Sequence, residues 1–147
     1  LSGVEQIKIR EARFDEPVVQ RLIAEAMAEL SRRYGGTGDD TPVAATDFAA
    51  PSGAFFVAYD PSGGRLLGCA GWRAHGEDAE LKRMFTVPAA RGRGVARRIL
   101  TAVEESARER GCKRVILETG DRQPEAIALY LRSGYERIED FGYYKGE

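Results

Sequence analysis

Arg91, Gly92, Arg93, Gly94 and Arg97 lie within seven residues of one another, in the stretch VPAARGRGVARRIL from Val87 to Leu100. Several guanidinium groups beside glycine-freed backbone N–H groups make a site for an anion with many oxygens, such as a phosphate or two joined. From Val95 onward the apolar spacing is helical, so the loop ends on a helix N-terminus. Such a terminus holds unpaired N–H groups and about half a positive charge, and it binds phosphate oxygens without special side chains. Other residues can move protons: Glu80 and Glu118 beside apolar runs, His75 in the turn AHGED, and Tyr130 in AIALY. With one histidine and two cysteines in apolar settings, Cys69 and Cys112, covalent chemistry of the Ser-His-Asp or Cys-His kind has poor support.

Two common phosphate ligands fail on sequence. A P-loop needs lysine and then a hydroxyl residue after the second glycine, where this chain has Val95 and Ala96. A dinucleotide fingerprint needs a small residue where Arg97 stands, and a strand that opens a parallel βαβ unit. Here the preceding strand closes an antiparallel meander. A diphosphate whose attached arm runs beside that strand remains.

The elements that must hold this loop can be read from the periodicity. Val4–Phe14 alternates imperfectly and reads as a strand. Pro17 opens a helix whose buried stripe is Val18, Val19, Leu22, Ile23, Ala26, Met27 and Leu30. Tyr34–Pro42 is an acidic, glycine-rich loop, and the segment around Phe48 forms a short turn. Gly53–Asp60, Arg65–Arg73 and Glu80–Val87 read as an antiparallel meander with a turn at AHGEDA. A helix follows with Val95, Ile99, Leu100, Val103 and Ala107 on one face and Gly111 as its stop. Lys113–Thr119 is a strand, Pro124–Gly134 a helix, and YERIEDFGYY the last strand or two. A right-handed crossover makes Glu80–Val87 and Lys113–Thr119 parallel neighbours. The expected fold is α/β: a mixed, mostly antiparallel sheet with helices on both faces.

The 147 residues fit one domain spanning 1–147, with 43% hydrophobic and 31% charged residues. A net charge of −1 argues against a nucleic-acid or membrane partner, and places the arginines near Arg91 as a local feature. No stretch approaches the roughly 18 apolar residues of a membrane span. The cysteines read as buried thiols in a reducing cytoplasm, and no metal-ligand spacing occurs.

The stretch RGRGVA, Arg91–Ala96, resembles the Q/R-x-x-G-x-G/A pyrophosphate loop of the GNAT superfamily of N-acetyltransferases. ELKRMFTVP ahead of it and QPEAIALYLRSGY behind it resemble that family's segments in order and spacing, over roughly Phe55 to Tyr135. The resemblance implies a GNAT-like sheet with splayed central parallel strands, and acetyl-CoA as co-substrate. It implies that the diphosphate sits on Arg91, Gly92, Arg93, Gly94, Val95, Ala96 and Arg97. The pantetheine arm would pair like an added strand with the backbone at Phe85 and Thr86, and one of their N–H groups would hold the oxyanion. Gln123 stands where many relatives carry asparagine that binds pantetheine. Tyr130 matches the family's acid for the departing thiolate: a phenol of pKa about 10 stays protonated near neutrality and can donate to a thiolate whose conjugate acid is near 8.5. Glu80 is the expected base, with Glu118 as the alternative and His75 as an exposed turn residue.

The implied reaction is acetyl transfer to the amine of a small molecule by direct attack in a ternary complex. A non-catalytic acyl-CoA-binding regulatory module, or an acetyltransferase acting on a protein or peptide amine, are the alternatives. The loop Tyr34–Pro42 and the tail Phe141–Tyr144 would border the mouth of the cleft. Asp39 and Asp40 read as solvated loop acids, with attraction of a cationic amine as the alternative. Tyr143 and Tyr144 read as cover for the core, with stacking on the acceptor as the alternative. After Tyr144 only KGE follows, so the family's closing strand is either missing, broken into shorter pieces, or supplied by a second copy in a homodimer.

Overall fold

A computed structural model describes residues 7–34, 42–118, 124–138 and 142–146. In chain order its elements are β1 (Lys8–Ala12), α1 (Pro17–Tyr34), a 3₁₀ turn (Ala45–Phe48), β2 (Gly53–Tyr59), β3 (Leu66–His75) and β4 (Asp78–Thr86). Then follow α2 (Val95–Glu109), β5 (Arg114–Glu118), α3 (Pro124–Arg132), β6 (Glu136–Ile138) and β7 (Gly142–Gly146). The strands form one sheet in the order β1-β2-β3-β4-β5-β7-β6. Every neighbouring pair is antiparallel except β4 and β5. The expected fold class is therefore observed, including the parallel pair around the crossover helix.

Side-chain alternation assigns the two faces. Trp72 donates its indole N–H to Ser106 Oγ of α2 at 2.9 Å, so Gly68, Ala70 and Trp72 point at α2. Gly71 points the other way, toward Phe48 and Phe55. Phe14, Phe48 and Phe55 pack there with ring centroids 4.8 to 5.3 Å apart. The stripe read for α2 is buried as expected: Val95, Ile99, Leu100, Val103 and Ala107.

Gly68 lets α2 lie close against β3. A Cβ there would stand 2.7 Å from the Phe85 carbonyl oxygen, 3.0 Å from Ile99 Cδ1 and 3.3 Å from Val95 Cγ1. Gly68→Ala should therefore lower stability by about 1–3 kcal/mol, the usual cost of overpacking. Urea unfolding measures this, and an unchanged midpoint would contradict the close approach.

Four details differ from the sequence reading. The hairpin between β3 and β4 closes on Gly76 and Glu77, so His75 ends a strand and β4 begins at Asp78. Cys69 is buried, whereas Cys112 is only half-buried because it lies in the link after α2. The first strand ends at Ala12 rather than Phe14, and residues 4–6 of the expected strand lie outside the described residues. The closing strand is present in this chain as the second of two short pieces: β7 inserts between β5 and β6, with five register pairs to β5. No second copy is needed to complete that edge.

A buried carboxylate fastens the inserted strand. Glu104 lies on the inner face of α2, accepts a 2.8 Å hydrogen bond from the Tyr135 hydroxyl, and stands 3.5 Å from Lys145 Nζ of β7. Periodicity alone would place a solvated residue outside the apolar stripe. Glu104 is inside it, paired with groups far away in sequence. Among the described residues no helix is long and apolar enough to cross a membrane, and no group of three or more His, Cys, Asp or Glu is placed to hold a metal ion.

Candidate active site

A gap opens where β4 and β5 part. Among the described residues the parallel ladder consists of Ala79↔Val115 and Glu80↔Ile116. Beyond it β5 stays with β7 through Leu117↔Tyr143 and Glu118↔Gly142. The cause is a bulge in β4. Lys82 faces Gly71 and Phe85 faces Cys69, so Arg83 and Met84 together oppose Ala70. Arg83 takes φ +61°, left-handed territory that costs a non-glycine residue about 1–2 kcal/mol. The Cys69 thiol donates to the Arg83 carbonyl at 3.3 Å and helps to hold the bend. A bulge bends its strand and ends regular pairing, and here it turns β4 away from β5. The sequence carried no signal for it, since an arginine is an uncommon residue at positive φ.

Strand alternation decides which polar groups of β4 face the gap. Val87 N–H donates to the Leu67 carbonyl at 2.9 Å. Two residues earlier, Phe85 must likewise turn its N–H and C=O toward Cys69 of β3. Thr86 then turns its own toward the gap. Of the two positions expected to meet the arm, Thr86 offers main-chain groups and Phe85 offers a buried ring.

The anion loop lies where β4 ends. Pro88–Ala90 form a 3₁₀ turn, and Gly92 and Gly94 both take φ +79°. A Cβ at either glycine would meet no protein atom within 4 Å, so the requirement is the backbone angle rather than space. Gly94 is the N-cap of α2 and has no capping side chain, and the first helical turn contains no acidic residue. The N–H groups of Val95, Ala96 and Arg97 thus belong to a terminus with no carboxylate of its own to satisfy it. Val95 is buried and anchors the turn, Ala96 and Arg93 are half-exposed, and Arg97 is exposed.

Arg91 is held in place by the protein. Its Nε donates to the Thr86 carbonyl at 3.1 Å, its Nη2 pairs with Glu29 of α1, and its guanidinium carbon stands 5.9 Å from the centre of the Phe85 ring. The Glu29 partner lies 62 residues away and could not be read from the sequence.

Tyr130 lies on α3, only 5% exposed, between Tyr135 (5.7 Å) and Tyr143 (6.4 Å). Tyr143 is the register partner of Leu117, one residue past the last β4–β5 pair. Burial alone pushes the phenol above its ordinary pKa. The tyrosine therefore stays protonated throughout the neutral range.

Glu80 stands at the root of the gap, the last β4 residue in register with β5. It accepts a 3.0 Å hydrogen bond from Arg73 Nε across β3 and is 16% exposed. Arg73 Nη1 also reaches the Pro42 carbonyl at 3.0 Å and Asp47 at 3.4 Å. The Glu80 hydrogen bond is the main reason that the Arg73 guanidinium pKa is raised. Glu118 is exposed at the end of β5, and His75 is exposed at the end of β3. Tyr143 is buried, and Tyr144 is half-buried beneath Arg114, 5.3 Å from its ring centre. Gln123, Asp39, Asp40 and Phe141 lie outside the described residues.

Residues 23–135 match the family described as the Acetyltransferase (GNAT) family. An IAA acetyltransferase of Azospirillum brasilense is 36% identical, over 92% of this chain and 87% of its own length. A GNAT-family acetyltransferase of Staphylococcus aureus superposes with a TM-score of 0.78 at 18% identity, over 95% of this chain and 98% of its own. The PaiA N-acetyltransferase of Thermoplasma acidophilum, solved in complex with coenzyme A, superposes with a TM-score of 0.72 at 16% identity, covering 96% and 99% of the two chains.

Proposed function

The chain belongs to the GNAT acetyltransferase family, and on that premise we propose that it moves the acetyl group of acetyl-CoA onto the amine of a small molecule, by direct attack within a ternary complex. Acetyl-CoA is the family's usual donor. The observation that carries the reading is the alignment of three features along one gap. An uncapped helix terminus follows β4, the main-chain groups of Thr86 turn away from β3, and Tyr130 packs on Tyr143 of the strand that pairs with β5.

In this reading the N–H groups of residues 92–97 take the diphosphate oxygens, with Arg93 and Arg97 adding charge. Arg91 braces the loop. The pantetheine amides pair with Thr86 as an added strand would. The amine nitrogen attacks the thioester carbonyl carbon, a C–N bond forms, and the carbonyl oxygen takes up the negative charge. The C–S bond then breaks, and the sulfur takes the Tyr130 proton. Burial raises the phenol, and it raises the thiol's pKa in the same cleft. Passing a proton between them leaves the charge count in that cleft unchanged. Glu80 receives the amine's surplus proton, directly or through water. Arg73 holds that carboxylate in place from β3.

Release of free thiol from acetyl-CoA against a panel of amines and peptides tests this function. Turnover confined to small amines is the expected outcome. Binding without turnover would point to a regulatory module, and turnover confined to peptides to a macromolecular acceptor. Glu80→Gln should lower kcat/KM about tenfold at pH 7, below the usual range for a general base because solvent shares the task. The deficit should shrink as pH rises, since more amine then arrives neutral. A deficit that is constant with pH would assign Glu80 a purely structural role.

A further inference from the structure

Arg91 opens the anion loop, yet its guanidinium is spent on the protein. Three neighbours fix it: the Thr86 carbonyl at the edge of the gap, the Phe85 ring beneath, and the Glu29 carboxylate of α1. Glu29 is the more deeply placed partner, with its side chain 11% exposed against 40% for Arg91. A partly buried carboxylate holds its guanidinium partner closely, because that carboxylate left alone would be poorly solvated. Through this contact α1 grips the first residue of the loop.

The grip extends to α3. One turn further along α1, Arg33 pairs with Glu125 in the first turn of α3. That hydrogen bond is the largest cause of a lowered Glu125 pKa, and the charge of Arg91 contributes to the same shift. Glu29, Arg91, Glu125 and Arg33 thus alternate in sign, and join α1, the anion loop and α3 where the loop meets the gap. The Arg33–Glu125 pair is exposed and contributes little by itself. The Glu29–Arg91 pair is the part with leverage.

We propose that Glu29 is a positioning residue for acetyl-CoA: it fixes Arg91, and so sets the loop geometry that receives the diphosphate, without touching the substrate. The proposal rests on the acetyl-CoA reading above and adds a residue from α1 to the site. It separates two roles for arginine in one loop. Arg91 faces the protein and holds the loop, while Arg93 and Arg97 are left to face the diphosphate.

Kinetics with two donors test it. Glu29→Gln keeps the shape and removes the charge. With acetyl-CoA, its KM should rise about tenfold while kcat stays within twofold of the parent. With S-acetylpantetheine, which lacks the diphosphate, kcat/KM should match the parent. Arg91→Gln, at the more exposed end of the pair, should give the same pattern, and the double variant should be no worse than either single one. Equal losses on both donors would mean that Glu29 only supports the fold. An unchanged KM, or a tighter one from a freed Arg91 seizing the diphosphate, would also overturn the proposal. Should Glu29→Gln fail to fold, Glu29→Asp, which keeps the charge but shortens its reach to Arg91, decides by the same two criteria. A parent protein that turns over neither donor would instead refute the underlying acetyltransferase reading.

Discussion

Tyr130→Phe should lower kcat for acetyl transfer by roughly 10²- to 10³-fold, within the usual range for loss of a positioned general acid, and leave the acetyl-CoA KM within about twofold. The substitution removes one oxygen and keeps the ring between Tyr135 and Tyr143. Packing is preserved, so the loss falls on the step that creates thiolate charge. The raised phenol pKa adds a second signature. The proposed acid acts in its protonated form, so the parent should show no alkaline loss of rate from this group below the ordinary tyrosine range. In the variant, donors with thiols of lower pKa should recover rate, because their thiolates leave without a proton. Stopped-flow thiol detection with a series of acetyl thioesters reads all of this. A variant with parental kcat, or equal losses across the series, would remove Tyr130 from the chemistry.

Gly94→Val should raise the Kd for acetyl-CoA by about 10²-fold. Gly94 takes φ +79° as the N-cap of α2. A β-branched residue there is strained by about 1–3 kcal/mol, and it relieves the strain by turning the following N–H groups out of line. Hydrogen bonds to a charged acceptor contribute about 1.5–3 kcal/mol each, so misaiming one of them sets the loss of affinity. A loss of about 2.7 kcal/mol, within that range, corresponds to the stated hundredfold. Because a side chain at this position meets no protein atom within 4 Å, the fold itself should survive. Far-UV circular dichroism would check that, and calorimetry would give the affinity. Unimpaired binding in a folded variant would show that the diphosphate does not rest on this terminus.

These expectations draw unevenly on the sequence. The loop was legible because its requirement is local: glycines at Gly92 and Gly94, no acid in the next turn, and an apolar stripe starting at Val95. The order of the elements was legible for the same reason, since periodicity and turn residues act over a few positions. The parallel pairing of β4 and β5 followed from crossover handedness. The bulge at Arg83 did not follow from anything local, because it is imposed by how β4 meets Ala70. Nor did the Glu29–Arg91 and Glu104–Tyr135 contacts, which join residues 62 and 31 positions apart. The insertion of β7 between β5 and β6 was hidden for a similar reason, since short strands carry too few residues for a clear alternation. The local half of the site was thus readable, and the supports that aim it were not.

A crystal structure with bound coenzyme A tests the central claim most directly. It should show the diphosphate oxygens within hydrogen-bonding distance of the N–H groups of residues 92–97, and Arg91 still on Glu29. The sulfur should lie between β4 and β5, within reach of the Tyr130 hydroxyl. A diphosphate bound elsewhere, or a sulfur beyond the reach of Tyr130, would contradict the account.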